Sequence, residues 1–132
     1  MTLFALDSRL EADTSFVADW LLCRVLLLND ARYFWLALVP RLEGVTEITD
    51  LNALQRAALM EEAARAGRII KRAGAAKLNI GALGNIVPQL HLHVIGRGEG
   101  DPAWPGPVWG HSPAVPYDPA AREARMALVR SG

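Results

Sequence analysis

The sequence predicts an α+β fold: an antiparallel sheet of about five strands, one long helix packed on it and a short C-terminal helix. Three observations carry this. Two β-rich apolar segments flank a turn cluster early in the chain. One stretch of helical periodicity follows, and then two more strand-like segments with a glycine-containing link between them.

Ser15–Asp19 is short and reads as an edge strand. Cys23–Leu28 is almost wholly apolar, the pattern of a strand buried on both faces. Asn29, Asp30, Ala31 and Arg32 form a turn cluster. Tyr33–Val39 is then the second arm of an antiparallel hairpin, ended by Pro40. Thr49 or Asp50 caps a helix that runs to about Ala73. Along it Ile48, Leu51, Leu54 and Ala58 recur at helical spacing, as do Leu59, Ala63, Ala66 and Ile70, while Arg56, Glu61, Arg65, Arg68 and Arg72 form a solvated face. Gly74 stands where a glycine just past the last turn stops a helix. Lys77–Ile80 and Leu90–Arg97 are the remaining strands. Gly98–Tyr117 is rich in Pro, Gly and Trp and reads as loop. Pro119–Val129 is a terminal helix, with Asp118 as its N-cap and Pro119 in its first position.

The 132 residues suit a single domain, 1–132, with its core at about 13–97 and the loop and terminal helix at about 98–132. Hydrophobic residues make up 52% and charged residues 21%, enough to build a core without metal or disulfide. Lys plus Arg equal Asp plus Glu at 14 each, so no bulk charge points to nucleic acid or to an acidic membrane surface. The single cysteine, Cys23, forbids an intrachain disulfide and fits a reducing cytoplasm. It lies in an apolar run and is expected to be a buried structural thiol. No basic segment followed by an apolar stretch suggests a signal peptide, and the apolar runs are too short to span a bilayer.

The segment Gly84–Arg97 carries the chemistry. Two of the chain's three histidines, His91 and His93, sit there two residues apart. On a strand, alternate residues share a face, so Gln89, His91 and His93 line up together while Leu90, Leu92 and Val94 point the other way. A neutral imidazole attacks phosphorus, and a neighbouring imidazole donates a hydrogen bond to a phosphoryl oxygen. The pair also has the spacing of two zinc ligands, but a zinc site needs a third and usually a fourth. His111, Asp101 and Asp118 are the candidates near in sequence and show no ligand spacing.

Gln89-Leu90-His91-Leu92-His93-Val94-Ile95 resembles the motif of the histidine triad (HIT) superfamily, three histidines alternating with apolar residues on the last core strand. It is closest to a bacterial form with glutamine in the first position. The resemblance covers roughly Cys23 to Arg97. It implies a HIT-like fold, usually homodimeric with the sheets of two subunits joined. It also implies a nucleotide hydrolase or nucleotidyl transferase acting at an α-phosphate of nucleoside phosphoramidates or dinucleoside polyphosphates. By position His91 is the nucleophile that forms a nucleotidyl-histidine, and His93 contacts the phosphate and leaving-group region. Gln89 replaces the first histidine and supplies the same backbone carbonyl. Asn79 and the Gly84-Asn85 pair match phosphate-side positions, although turn and strand-end structure accounts for both asparagines as well. Asn29 sits where the family places a residue for the ribose hydroxyls, and Asp30 competes for that role. Trp35 stands near a position where many members carry another histidine. Trp104 and Trp109 lie outside the common core, with stacking on a base, closing over the site and packing at a sheet edge or subunit interface all open to them. The chemistry requires no metal or other cofactor. The alternative is a nucleotide-binding module with little or no turnover, since Gln89 and Trp35 alter the site.

Overall fold

The computed structural model describes residues 3–132. Five strands form one sheet: β1 (Thr14–Asp19), β2 (Cys23–Leu28), β3 (Trp35–Pro40), β4 (Lys77–Gly81) and β5 (Leu92–Arg97). Their order is β1-β2-β3-β5-β4 and every neighbouring pair is antiparallel. Helix α1 (Ser8–Asp13) precedes the sheet, the long α2 (Ala53–Arg72) lies between β3 and β4 in the chain, and α3 (Pro119–Ser131) ends it. The α+β fold expected from the sequence is the one observed, with α1 as an addition.

One face of the sheet carries the main core. Leu36, Leu38, Leu92 and Val94 meet Leu59, Ala63, Ala66 and Ile70 of α2, and Met126 and Val129 of α3. These α2 residues are the periodic set read from the sequence. Their partners on β3 and β5 alternate, because successive strand side chains point to opposite faces. The other face is covered in two pieces. Leu10, Phe4 and Leu6 of the N-terminal segment pack with Leu26, Ala37 and Val39. Ala103, Val108 and Trp109 of the loop after β5 pack with Tyr33, Trp35 and Ile95.

Several boundaries differ from the sequence reading. Asn52, not Thr49 or Asp50, caps α2: Asn52 Oδ1 accepts from Gln55 N–H at 2.9 Å and Gln55 Oε1 accepts from Asn52 N–H at 2.8 Å. Ile48–Asp50 is instead a short 3-10 turn, and the Asp50 carboxylate accepts the backbone N–H groups of Thr46 and Glu47. Ile48 therefore stays outside the packed face, as does Leu54, which is 83% exposed. Strand β3 begins at Trp35 rather than Tyr33. Strand β5 begins at Leu92 rather than Leu90, so Gln89 and His91 precede the strand. The reason is a competing set of partners. Leu90 N–H donates to Val45 O at 3.0 Å, and the Gln89 side chain binds the N-terminal segment.

Buried Glu62 of α2 ties the helix to the sheet. Its carboxylate accepts Leu22 N–H at 2.8 Å and Cys23 N–H at 2.9 Å, satisfying the two backbone donors that open β2. Cys23 is fully buried beside it, and burial pushes its thiol well above the usual cysteine range, as an inert core thiol requires. Replacing Glu62 by Ala strands both donors. The expected cost is about 2–4 kcal/mol of unfolding free energy, read from the urea midpoint at unchanged m-value.

Candidate functional site

Between the two pieces that cover the open face lie His91 and His93, only 7% and 6% exposed, with ring centroids 4.8 Å apart and planes at 76°. His93 is on β5, opposite Ala37 of β3 and Gly81 of β4. These small neighbours leave room above the sheet, and Trp109 occupies part of it. A side chain at Gly81 would come within 3.3 Å of the Trp109 ring, so the tryptophan's position depends on that glycine. Trp109 meets His93 edge-on at 5.4 Å between centroids and Trp35 at 6.3 Å.

Each histidine has one ring nitrogen fixed. His91 Nδ1 lies 2.7 Å from the Gln89 carbonyl oxygen. A carbonyl only accepts, so Nδ1 carries the proton and, in the neutral ring, Nε2 carries the lone pair. His93 Nδ1 instead accepts from Trp35 Nε1–H at 2.9 Å, which leaves the His93 proton on Nε2. Burial, with a smaller contribution from His91, pushes His93 down to about 4. The sequence pattern marked both histidines. It gave no sign of the Trp35–His93 bond, because that contact joins two strands far apart in the chain.

The other candidates divide. Gly84 and Asn85 line the same cleft as the histidines, a space of about 270 Å³ walled by Leu83, Ile86, Val87 and Trp109. Gly84 turns the chain there with φ +70°, a value that glycine adopts without strain. Gln89 precedes the strand and does not line this cleft with His91 and His93. Its Oε1 accepts from Asp7 N–H and its Nε2 donates to Ala5 O, both at 2.8 Å, clipping residues 5–7 to the loop. Asn79 lies outside the cleft, with its Oδ1 accepting from Arg97 Nη1 at 2.7 Å. Asn29 lines a second cleft of about 380 Å³ together with Ala12, Asp13, Leu28, Asp30 and Trp35. Its Oδ1 accepts from Tyr117 N–H at 3.0 Å, while the Asp30 carboxylate is committed to Arg32. Trp35 lines this second cleft and bonds His93 of the first, so it joins the two.

The possible metal ligands are spread apart. Asp101 pairs with Arg97, Asp118 caps α3 through Ala121 N–H, and His111 is exposed beside Ser112. Among the described residues no three His, Cys, Asp or Glu side chains gather in a group fit to hold a metal ion. Among the same residues no helix is long and apolar enough to cross a membrane.

A family model described as the HIT domain matches residues 9–100. The chain belongs to the histidine triad family. Among solved structures, a histidine triad protein from Sinorhizobium meliloti is 46% identical, with a TM-score of 0.96 over 99% of this chain and 98% of that one. One from Bradyrhizobium japonicum is 45% identical, with a TM-score of 0.94 over 97% and 96%. A histidine triad nucleotide-binding protein from Sulfolobus tokodaii, 18% identical, shares the fold with a TM-score of 0.68 over 92% and 84%. No curated protein matches the chain.

In this histidine triad chain the family match stops at residue 100, so Trp109 lies beyond it, while its support starts from within the matched range. That support is Arg97, whose side chain is 1% exposed. Its Nε and Nη2 donate to the Asp101 carboxylate at 2.7 and 3.1 Å, Nη1 to Asn79 Oδ1 at 2.7 Å and Nη2 also to Gly106 O at 2.7 Å. Arg97 holds the Asp101 carboxyl below the usual carboxylate range. A depressed carboxylate contributes stability that is present above its unfolded value and lost as pH falls through the folded one. Arg97→Met leaves Gly106 O and Asn79 Oδ1 without this donor, and the Asp101 carboxylate with its backbone N–H donors but no cation. It should cost about 3–5 kcal/mol and shift Trp109 emission to the red. For His93 the sign is the same but the window is higher. The unfolded ring takes a proton near 6.5 and the folded one only near 4, so stability should fall as pH drops between them. Imidazole NMR should find His93 neutral, with its proton on Nε2, throughout neutral pH.

Proposed function

We propose that this chain binds a nucleotide and transfers or hydrolyses it at the α-phosphate, with His91 as nucleophile, through a nucleotidyl-histidine intermediate. The observation that carries this reading is the tautomer of His91. The Gln89 carbonyl takes its Nδ1–H, so the Nε2 lone pair is the free end of the ring, beside a cleft. The substrate has the form nucleotide-O-X or nucleotide-N-X, with phosphoramidates and dinucleoside polyphosphates as the classes that the family resemblance suggests. A relative named as nucleotide-binding supports the ligand class.

In this reading Nε2 of His91 attacks phosphorus in line with the departing group. The Gln89 carbonyl then stabilises the positive ring of the intermediate through Nδ1–H. His93 Nε2–H donates to a phosphoryl oxygen, and the Gly84-Asn85 turn offers further N–H groups on that side. The second cleft takes the nucleoside, with Asn29 toward the ribose. Asn79 reaches the site only through Arg97, and Gln89 serves by its carbonyl. We place the protein in the cytoplasm as a homodimer, for which β4 at the end of the sheet is one available edge.

A second reading has one observation in its favour. Trp35 fixes His93 as a neutral donor, which suits holding a phosphate as well as transferring it. The two part on His91→Ala. Purified protein is mixed, with chelator present, with adenosine and guanosine phosphoramidates and dinucleoside polyphosphates. Released nucleotide and a nucleotidyl mass shift should both appear, and both should vanish in His91→Ala. Saturable binding with neither would establish the binding module. Gln89→Ala keeps the carbonyl, so its kcat should fall less than about tenfold while amide exchange quickens in residues 3–7.

A further inference from the structure

A separate cavity of about 240 Å³ opens at the end of the sheet where β3 begins and β5 finishes. Phe34 and Gly96 line it from the sheet, Ala73 and Gly74 from the end of α2, and Arg125 from α3. Arg32, Arg97 and Asp101 line it as well. It shares no lining residue with the histidine cleft or with the cleft of Asn29.

Arg32, Arg97 and Arg125 thus bring guanidinium groups to one small space, and two of them are spent. Arg97 pairs with Asp101 at 2.7 Å and Arg32 with Asp30 at 2.9 Å. Each carboxylate is held by backbone N–H groups besides, Asp101 by those of Gly98, Ala103 and Trp104, and Asp30 by those of Arg32 and Val115. Neither is left over for Arg125. The hydrogen bond that Arg125 makes runs from Nη1 to Tyr117 Oη at 3.1 Å, and among the described residues it has no carboxylate partner. Its guanidinium lies over the Phe34 ring, 4.6 Å from the centroid. Stacking on one face fixes the plane and leaves the edge formed by Nε and Nη2 unused. A guanidinium held flat, with two neighbouring N–H groups unused, matches two oxygens of a phosphate or a carboxylate.

The end of α2 restricts the other half of a ligand. Carbonyls in the last turn of a helix lack intrahelical donors and carry partial negative charge. They repel an anion set against them and accept from a hydroxyl. An oxoanion in this cavity therefore belongs on the α3 side, with hydroxyl groups toward Ala73 and Gly74.

We infer that this cavity binds a small hydroxylated oxoanion, a phosphate monoester or a hydroxycarboxylate, clamped by Nε and Nη2 of Arg125. The site uses neither histidine and is independent of the reaction proposed for them.

The test is an NMR titration of the full chain, read at the Gly96 and Gly98 amides and at Arg125 Nε–H. The probes are glycerol 3-phosphate beside propyl phosphate and L-malate beside succinate, with glycerol as the uncharged control. Glycerol 3-phosphate or malate should give saturable shifts at these groups, and the one that binds more tightly tells the phosphate source from the carboxylate. It should bind about fivefold more tightly than its partner without hydroxyl groups. Arg125→Met should weaken it by about tenfold or more, and Arg125→Lys, which keeps the charge but not the fork, by less. His91→Ala should bind as the unaltered chain does. The inference is overturned if neither anion shifts these groups, if glycerol shifts them equally, if binding survives Arg125→Met, or if the shifts are confined to Gly84 and Asn85. Arg125 is then a structural cation for Phe34 and Tyr117. Equal affinity within each pair overturns the part assigned to the end of α2.

Discussion

Strand β5 is hydrogen-bonded on both sides, to β3 through pairs such as Ala37 with His93 and to β4 through Gly81 with His93. A strand held at both edges cannot slip by one residue without turning every side chain to the wrong face. Leu92 and Val94 are thereby committed to the core under α2, and His93, Ile95 and Arg97 to the open face. Each of the last three then has its own work. His93 meets Trp35, Ile95 anchors the loop that follows, and Arg97 fastens that loop through Asp101 and Gly106 while also holding Asn79 of β4. The site and its cover are consequences of one register.

The open face is covered from its two ends by different parts of the chain. The N-terminal segment reaches the loop before β5 through the Gln89 amide, and the tail loop reaches β5 through Arg97. The histidines lie where these covers stop. Their burial follows, and from burial follow the low proton affinity of His93 and the strength of the few hydrogen bonds that fix each ring. His91 shows how little is needed. A backbone carbonyl two residues before it decides which nitrogen is free, so the side chain at position 89 is released for another purpose. Glutamine uses that freedom to clip the N-terminal segment.

Much of the fold was legible because it rests on local pattern. The apolar run of Cys23–Leu28, the spacing of Leu59, Ala63, Ala66 and Ile70, and the Asp118-Pro119 cap are short-range features with short-range causes. The start of α2 was misplaced because Thr49, Asp50 and Asn52 are all capping residue types, and only their partners separate them: Asp50 is taken by Thr46 and Glu47, Asn52 by Gln55. Helix α1 went unread. Its six residues are too few for periodicity to speak, and its cap and its Leu10 contact are its main supports.

By itself the sequence determined that this is an α+β histidine triad chain and that His91 and His93 are the residues to watch, since alternation and motif spacing are properties of neighbours along the chain. The tertiary structure alone decided which nitrogen of each histidine is free, that Gln89 turns to Asp7 and Ala5, that Asn79 belongs to Arg97, and that Trp109 stands over His93. Those contacts join residues far apart in sequence, and a hydrogen bond forms only where folding brings donor and acceptor within reach.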